Sequence, residues 1–123
     1  MRAKKILVVD DELEVRQNLA ELLGSIGVDA VIAASGDEAL RVCGTDHALD
    51  LVLADVMMPG MDGIALTGRL KQLRPDLRVV LMTGQEQAVE RVIEAGAVPL
   101  MKPFSIMTLQ RILEEAVGDA PPD

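Results

Sequence analysis

Apolar residues along this chain fall into two alternating patterns. Short continuous apolar runs occupy 6–9, 30–33, 51–54, 79–82 and 98–101, and each predicts a β-strand. Between them, apolar residues recur every three or four positions, the spacing of a helix with one buried face. Val15, Leu19, Leu22, Leu23 and Ile26 mark the first such face, and Gly27 closes it in the manner of a helix C-terminus. Ser35 and Glu38 form a capping box ahead of Ala39, Leu40 and Val42, which predicts a short second helix. Leu66, Leu70 and Leu73 mark a third helix, ended by Pro75. Ala88, Val89, Val92 and Ile93 mark a fourth, stopped by Gly96. Ser105 caps a fifth, whose face holds Ile106, Leu109, Ile112, Leu113 and Ala116.

Strand followed by helix, five times over, predicts an α/β fold with a doubly wound parallel sheet covered by helices on both faces. The strands are continuous apolar runs rather than alternating ones, as burial on both faces requires. Pro99 lies inside the fifth run. Proline cannot donate to a ladder, so the fifth strand is expected at an edge. No internal repeat or second domain is visible. Residues 1–118 are expected to form the domain. The segment 119–123, with Pro121 and Pro122, reads as a flexible tail or the start of a linker.

Composition narrows the function classes. At 123 residues there is length for one domain. Twelve Lys and Arg against twenty Asp and Glu leave a net charge of −8, which disfavours direct contact with nucleic acid. Phe104 is the only aromatic residue, so the core is aliphatic. Base-stacking readout and aromatic-cage recognition have no residues to work with. The single cysteine, Cys43, cannot form an internal disulfide, which suits a reducing cytoplasm. It reads as a small buried hydrophobe near a helix end. His47 stands alone in a polar stretch and predicts no zinc site. The basic N-terminus is followed by too short an apolar run for an export signal, and no run is long enough for a membrane span.

The polar residues that interrupt the pattern are placed systematically. Asp10 and Asp11 follow the first strand, Asp55 the third, Thr83 the fourth and Lys102 the fifth. In an open parallel sheet these ends share one edge, where such folds bind ligands. Each residue alone reads equally well as a loop residue or a helix cap; their joint placement singles them out. Three carboxylates in one crevice repel one another, and a divalent cation resolves that repulsion. Oxygen ligands favour a hard ion, Mg²⁺ or Mn²⁺. A cation site beside a free carboxylate, a Lys and a Thr hydroxyl is equipment for phosphoryl transfer, with the carboxylate as nucleophile.

These pieces resemble the response-regulator receiver domains of two-component signalling, over essentially the whole chain. The matching segments are Val9-Asp10-Asp11-Glu12, the run Asp55-Val56-Met57-Met58-Pro59-Gly60-Met61-Asp62-Gly63, Met82-Thr83-Gly84, and Lys102-Pro103-Phe104. The resemblance implies a flavodoxin-like sheet of order 2-1-3-4-5. It implies that Asp55 takes a phosphoryl group from a phosphohistidine of a histidine kinase or histidine phosphotransfer protein. Asp11, Asp55 and the Met57 carbonyl would then ligate Mg²⁺, and Asp10 would hold a metal-bound water. Thr83 and Lys102 would each bond a phosphoryl oxygen, and Gly84 would leave the phosphate room. Lys102–Pro103 would be a cis peptide, and Pro59 and Gly63 would shape the loop after Asp55. Met57, Met58 and Met61 read as packing residues rather than a soft-metal site. Such a domain is no conventional enzyme; it catalyses its own phosphorylation and slow dephosphorylation, then signals to a downstream protein.

The chain also departs from that pattern. Receivers commonly carry Tyr or Phe three residues before the Lys, and here that position is Pro99. The stretch from Thr83 to Lys102 is a few residues short, so the fourth helix or its loops must be abbreviated. This form resembles receivers attached to hybrid histidine kinases and some stand-alone receivers. The signal is expected to pass through the Thr83 loop and the fourth helix without a rotating ring. Met57 and Gln85 supply no charge to orient a hydrolytic water, so self-hydrolysis is not expected to be especially fast. Two other readings stay open. One is a binding module that has lost phosphorylation, against which the complete residue set argues. The other is an enzyme of the same fold class. The chain lacks glycine-rich nucleotide motifs, and it has adjacent acids where an aspartyl-phosphate phosphatase would carry Asp-x-Asp.

Overall fold

An apolar strand with no polar face must be covered on both sides, and the computed structural model shows how this chain does it. It describes residues 3–117; the expected tail at 119–123 lies outside them. The elements run β1 (Lys5–Val9), α1 (Leu13–Ser25), β2 (Asp29–Ala33), α2 (Gly36–Thr45), β3 (Leu51–Asp55), α3 (Gly63–Leu73) and β4 (Arg78–Thr83). A 3₁₀ turn (Glu86–Ala88) leads into α4 (Val89–Glu94), then β5 (Val98–Met101) and α5 (Ile106–Val117). The sheet order is β2-β1-β3-β4-β5, with every pair parallel. This is the flavodoxin-like architecture expected from the sequence.

Alternate residues of each strand feed opposite cores. Leu7, Val9, Val52, Ala54, Val79 and Leu81 point to the side of α2, α3 and α4. Ile6, Val8, Leu51, Leu53, Val80 and Met82 point to the side of α1 and α5. Each fully buried Leu or Ile contributes about 1.5–3 kcal/mol. The single Phe104 is half-buried against the second core, which α5 lines with Leu109 and Leu113. Cys43 is fully buried in α2, and burial pushes its thiol up to about 11, so it is a packing residue.

Local signals act where the sequence placed them. Gly27 (φ +83°) turns the chain after α1, and the Val28 N–H donates to the Leu23 carbonyl at 2.9 Å. Ser35 Oγ accepts from the Glu38 N–H at 3.2 Å, and Ser105 Oγ from the Thr108 N–H at 3.1 Å. Pro99 lies on β5, an edge strand, opposite Leu81. Helix α4 is indeed short, at six residues. Ala88 belongs to the 3₁₀ turn rather than to the helix.

Some expected core positions lie outside the core. Leu22, Leu73, Ile93 and Ile106 are exposed. A three-to-four spacing marks an arc wider than the strip a flat sheet covers, so rim residues stay wet. Asp55 and Thr83 are the last residues of their strands rather than the first after them. Among the described residues no helix is long and apolar enough to cross a membrane.

One tie between helices had no sequence signal. Arg74, just past α3, donates from Nη1 to the Asp46 carbonyl at 3.0 Å and to the Cys43 carbonyl at 3.5 Å. It thereby serves carbonyls at the end of α2 that no helix turn can serve. Arg74→Ala is expected to lower stability by about 1–2 kcal/mol in urea unfolding. An unchanged midpoint would mean that water serves those carbonyls equally well.

Candidate functional site

The parallel sheet brings the ends of β1, β3, β4 and β5 to one edge, and the predicted polar residues meet there. Asp55 ends β3 and is buried except for its tip. Lys102 follows β5, and its Nζ lies 2.6 Å from Asp55 Oδ2. Its peptide bond to Pro103 is cis. The Lys102 N–H donates to the Thr83 carbonyl at 2.8 Å, which ties the ends of β4 and β5 together. The Met57 N–H donates to Asp55 Oδ1 at 3.0 Å, so each oxygen of the carboxylate has one partner. The Met57 side chain itself is 64% exposed.

Gly63 sets how closely α3 approaches Asp55. A Cβ there would stand 2.5 Å from the Asp55 carbonyl oxygen, so only glycine fits. The Gly63 N–H donates to the Val56 carbonyl at 2.9 Å, and the Asp62 carboxylate caps α3 by accepting from the Ala65 N–H at 2.8 Å. The loop after Asp55 is thus held at both ends. Asp62 stands in the recognised run, but its capping role was not read from it; Asp three residues before Ala65, ahead of an apolar run, was the available signal.

Thr83 is buried, and its Oγ1 accepts from the Gln85 N–H at 3.0 Å. Gly84 is exposed, and a side chain there would meet open space. Asp10 is 1% exposed. Its Oδ1 accepts from the Glu12 N–H at 2.9 Å, while Oδ2 is buried without a partner. Burial pushes the Asp10 carboxyl above the usual carboxylate range, and the charges of Asp55 and Asp11 add to this. The Glu12 amide and the Lys102 ammonium pull the other way. These couplings place Asp10, Asp11, Asp55 and Lys102 in one electrostatic neighbourhood. Asp11 is exposed beside it.

The donor set suits a hard divalent cation. It consists of carboxylate oxygens, and one of them, Asp10 Oδ2, is buried and unpartnered. Among the described residues, however, no three acidic, His or Cys side chains already stand as a ready-made metal cluster. Lys102 supplies positive charge beside Asp55. Arg16 was missed by sequence reasoning; its Nη1 donates to the Asp10 carbonyl at 2.7 Å.

Comparison with known proteins gives the family. A family model of the response regulator receiver domain matches residues 6–114. Sporulation initiation phosphotransferase F of Bacillus subtilis is 38% identical over 109 residues, covering 86% of this chain and 87% of that protein. Sensor histidine kinase RcsC of Salmonella typhimurium is 43% identical over 111 residues, 88% of this chain and 12% of the kinase. The chain spans less than half the length of the first curated relatives it matches. Among solved structures, response regulator protein TrrA of Thermotoga maritima, in complex with Mg²⁺-BeF, superposes with a TM-score of 0.84 at 30% identity. That match covers 92% of this chain and 98% of TrrA.

A buried carboxylate with a raised pKa works against the fold while it is charged. Its favourable contribution is present below the ordinary carboxylate value, about 4, and is lost as pH rises through its folded value. Asp10→Asn, without divalent cation, is therefore expected to melt higher than the parent at pH 7. The gain should vanish in acid, where Asp10 is protonated in both states. Melting curves across pH check this, and a variant that melts lower at pH 7 would contradict it.

Proposed function

The chain belongs to the response regulator receiver domain family, and from that premise we propose that Asp55 is its phosphoacceptor. The observation that carries this is the Asp55–Lys102 pair, closed at 2.6 Å in the crevice where Thr83 and Asp10 also end. The donor is a phosphohistidine of a histidine kinase or histidine phosphotransfer protein. An Asp55 oxygen attacks phosphorus, the P–N bond breaks, and its electron pair stays on the departing imidazole, which takes up a proton. The chemistry is mostly positioning and charge compensation. The Met57 amide and Lys102 hold the Asp55 carboxylate, and Gly63 lets α3 pack against the Asp55 backbone. Lys102 then moves its charge onto a phosphoryl oxygen, and the Thr83 hydroxyl donates to another.

Asp10, Asp11, Asp55 and the Met57 carbonyl would hold Mg²⁺, which supplies positive charge to the transferring group when bound. The reading puts the module in the cytoplasm, acting on a downstream protein rather than on nucleic acid or membrane.

Incubation with a small acyl phosphate and Mg²⁺ is expected to add the mass of one phosphoryl group. Asp55→Asn should abolish that gain. No gain in the parent would return the chain to a pure binding module. The adduct should outlast many minutes, because neither Met57 nor Gln85 can orient a hydrolytic water through a charge. A lifetime of seconds would refute that part.

Transmission is expected to run through the Thr83 hydroxyl. Its O–H now points to the Gln85 carbonyl at 3.5 Å, and to bond a phosphoryl oxygen it must turn from that carbonyl, at the start of the segment leading into the 3₁₀ turn and α4. Hydrogen exchange with and without a phosphoryl mimic should therefore change across residues 84–96. Unchanged protection there would sink the idea.

A further inference from the structure

Asp10 has four polar groups, and three are engaged. Its N–H donates to the Ala33 carbonyl at 3.2 Å. Its carboxylate Oδ1 accepts from the Glu12 N–H at 2.9 Å. Its carbonyl oxygen accepts from Arg16 Nη1 at 2.7 Å, the shortest of the three. Only Oδ2 is left buried and free. Arg16 is the fourth residue of α1, and it is half-buried. The residue at the α1 N-cap, Glu12, makes no side-chain cap bond. The guanidinium therefore supplies a side-chain tie between the start of α1 and the end of β1, across the turn that carries Asp10 and Asp11.

We infer that Arg16 is a positioning residue for the cation site: by gripping the Asp10 carbonyl it holds the β1–α1 turn so that Asp10 Oδ2 and Asp11 face the crevice. This rests on the reading of the crevice as a Mg²⁺ site. The bond is charge-assisted and directed at the backbone, so it constrains the turn rather than one rotamer. A turn already in place pays less ordering entropy when the ion arrives. Arginine suits the task better than lysine, because its planar fork fixes direction as well as distance.

Charge and positioning predict opposite outcomes here. Deleting a nearby positive charge should, by Coulomb attraction alone, tighten Mg²⁺ binding. Loss of positioning should weaken it. Loss of a partner that orients a metal ligand weakens metal binding by about 10–100-fold, and Arg16→Met is expected at the lower end of that range. Arg16→Lys keeps the charge without the fork and should fall between it and the parent.

The test titrates Mg²⁺ by calorimetry, and Mn²⁺ by electron paramagnetic resonance, into the 123-residue chain and the two variants. Each is held well below its own unfolding midpoint, measured by circular dichroism. Weaker binding by folded Arg16→Met, with Arg16→Lys intermediate, supports the inference. Equal or tighter binding overturns it and leaves the cation site standing, even if the variant is less stable. Should Arg16→Met fail to fold, Arg16→Lys decides alone: weaker binding supports, parent-like binding overturns. A parent chain that takes up neither ion overturns the cation reading itself, and this inference with it.

Discussion

Five apolar strands, buried on both faces and all running the same way, leave polar side chains one sheltered place to gather: the edge where the strands' carboxyl ends emerge. The two cores take alternate residues of every strand, so no strand interior has a position to spare for a charge. Asp10, Asp55 and Thr83 stand at the carboxyl ends of β1, β3 and β4, and all three are buried. The close approach of α3 at Gly63 and the cap at Asp62 pack α3 against the Asp55 backbone, behind its carboxylate. Preorganisation of this kind lets a carboxylate act without the solvent reorganisation it would face in water.

Within that edge the charges are set against one another. Asp55 is balanced by Lys102 at 2.6 Å, whereas Asp10 carries a buried oxygen with no partner and a raised proton affinity. The crevice is thus short of positive charge, with the deficit at Asp10 rather than at Asp55. In the proposed reaction a bound divalent ion would supply positive charge where it is lacking, and Lys102 would meet the phosphoryl group. The ligands are not assembled in advance, so the turn that carries Asp10 and Asp11 matters as much as the ligands themselves.

The way the signal leaves the site follows from what the chain lacks. Its one aromatic residue is packed against the second core, and the β5 position where the resemblance leads one to expect a ring is Pro99 on the sheet edge. Between the crevice and α4 runs a short path from Thr83 through Gln85 to a 3₁₀ turn and six helical residues, the route proposed for the signal. A helix this short has little stability of its own. It depends on Ala88, Val92 and Ala97 being buried, so a small shift at Thr83 acts on an element poised to respond.

The order of elements, the parallel sheet, the edge placement of β5 and the polar set at the strand ends were legible in the sequence. They follow from local rules: two distinct periodicities, proline's missing donor, caps and the position of each polar break. The recognised run after Asp55 added the roles. What the linear chain did not disclose are contacts whose partners lie far apart in sequence or on the backbone. Nothing in the pattern showed that Leu22 and Ile93 would fall on the rim, since burial depends on how far the sheet extends beneath each helix. Nor did it show that Arg74 would serve the end of α2, or that Gly63 is required by the Asp55 carbonyl. The grip of Arg16 on the Asp10 carbonyl was equally hidden, because backbone carbonyls carry no residue type. Sequence periodicity therefore determined which residues reach the crevice. Tertiary packing decided how they are held there, because only the folded chain sets the direction of each hydrogen bond and the balance of charge around it.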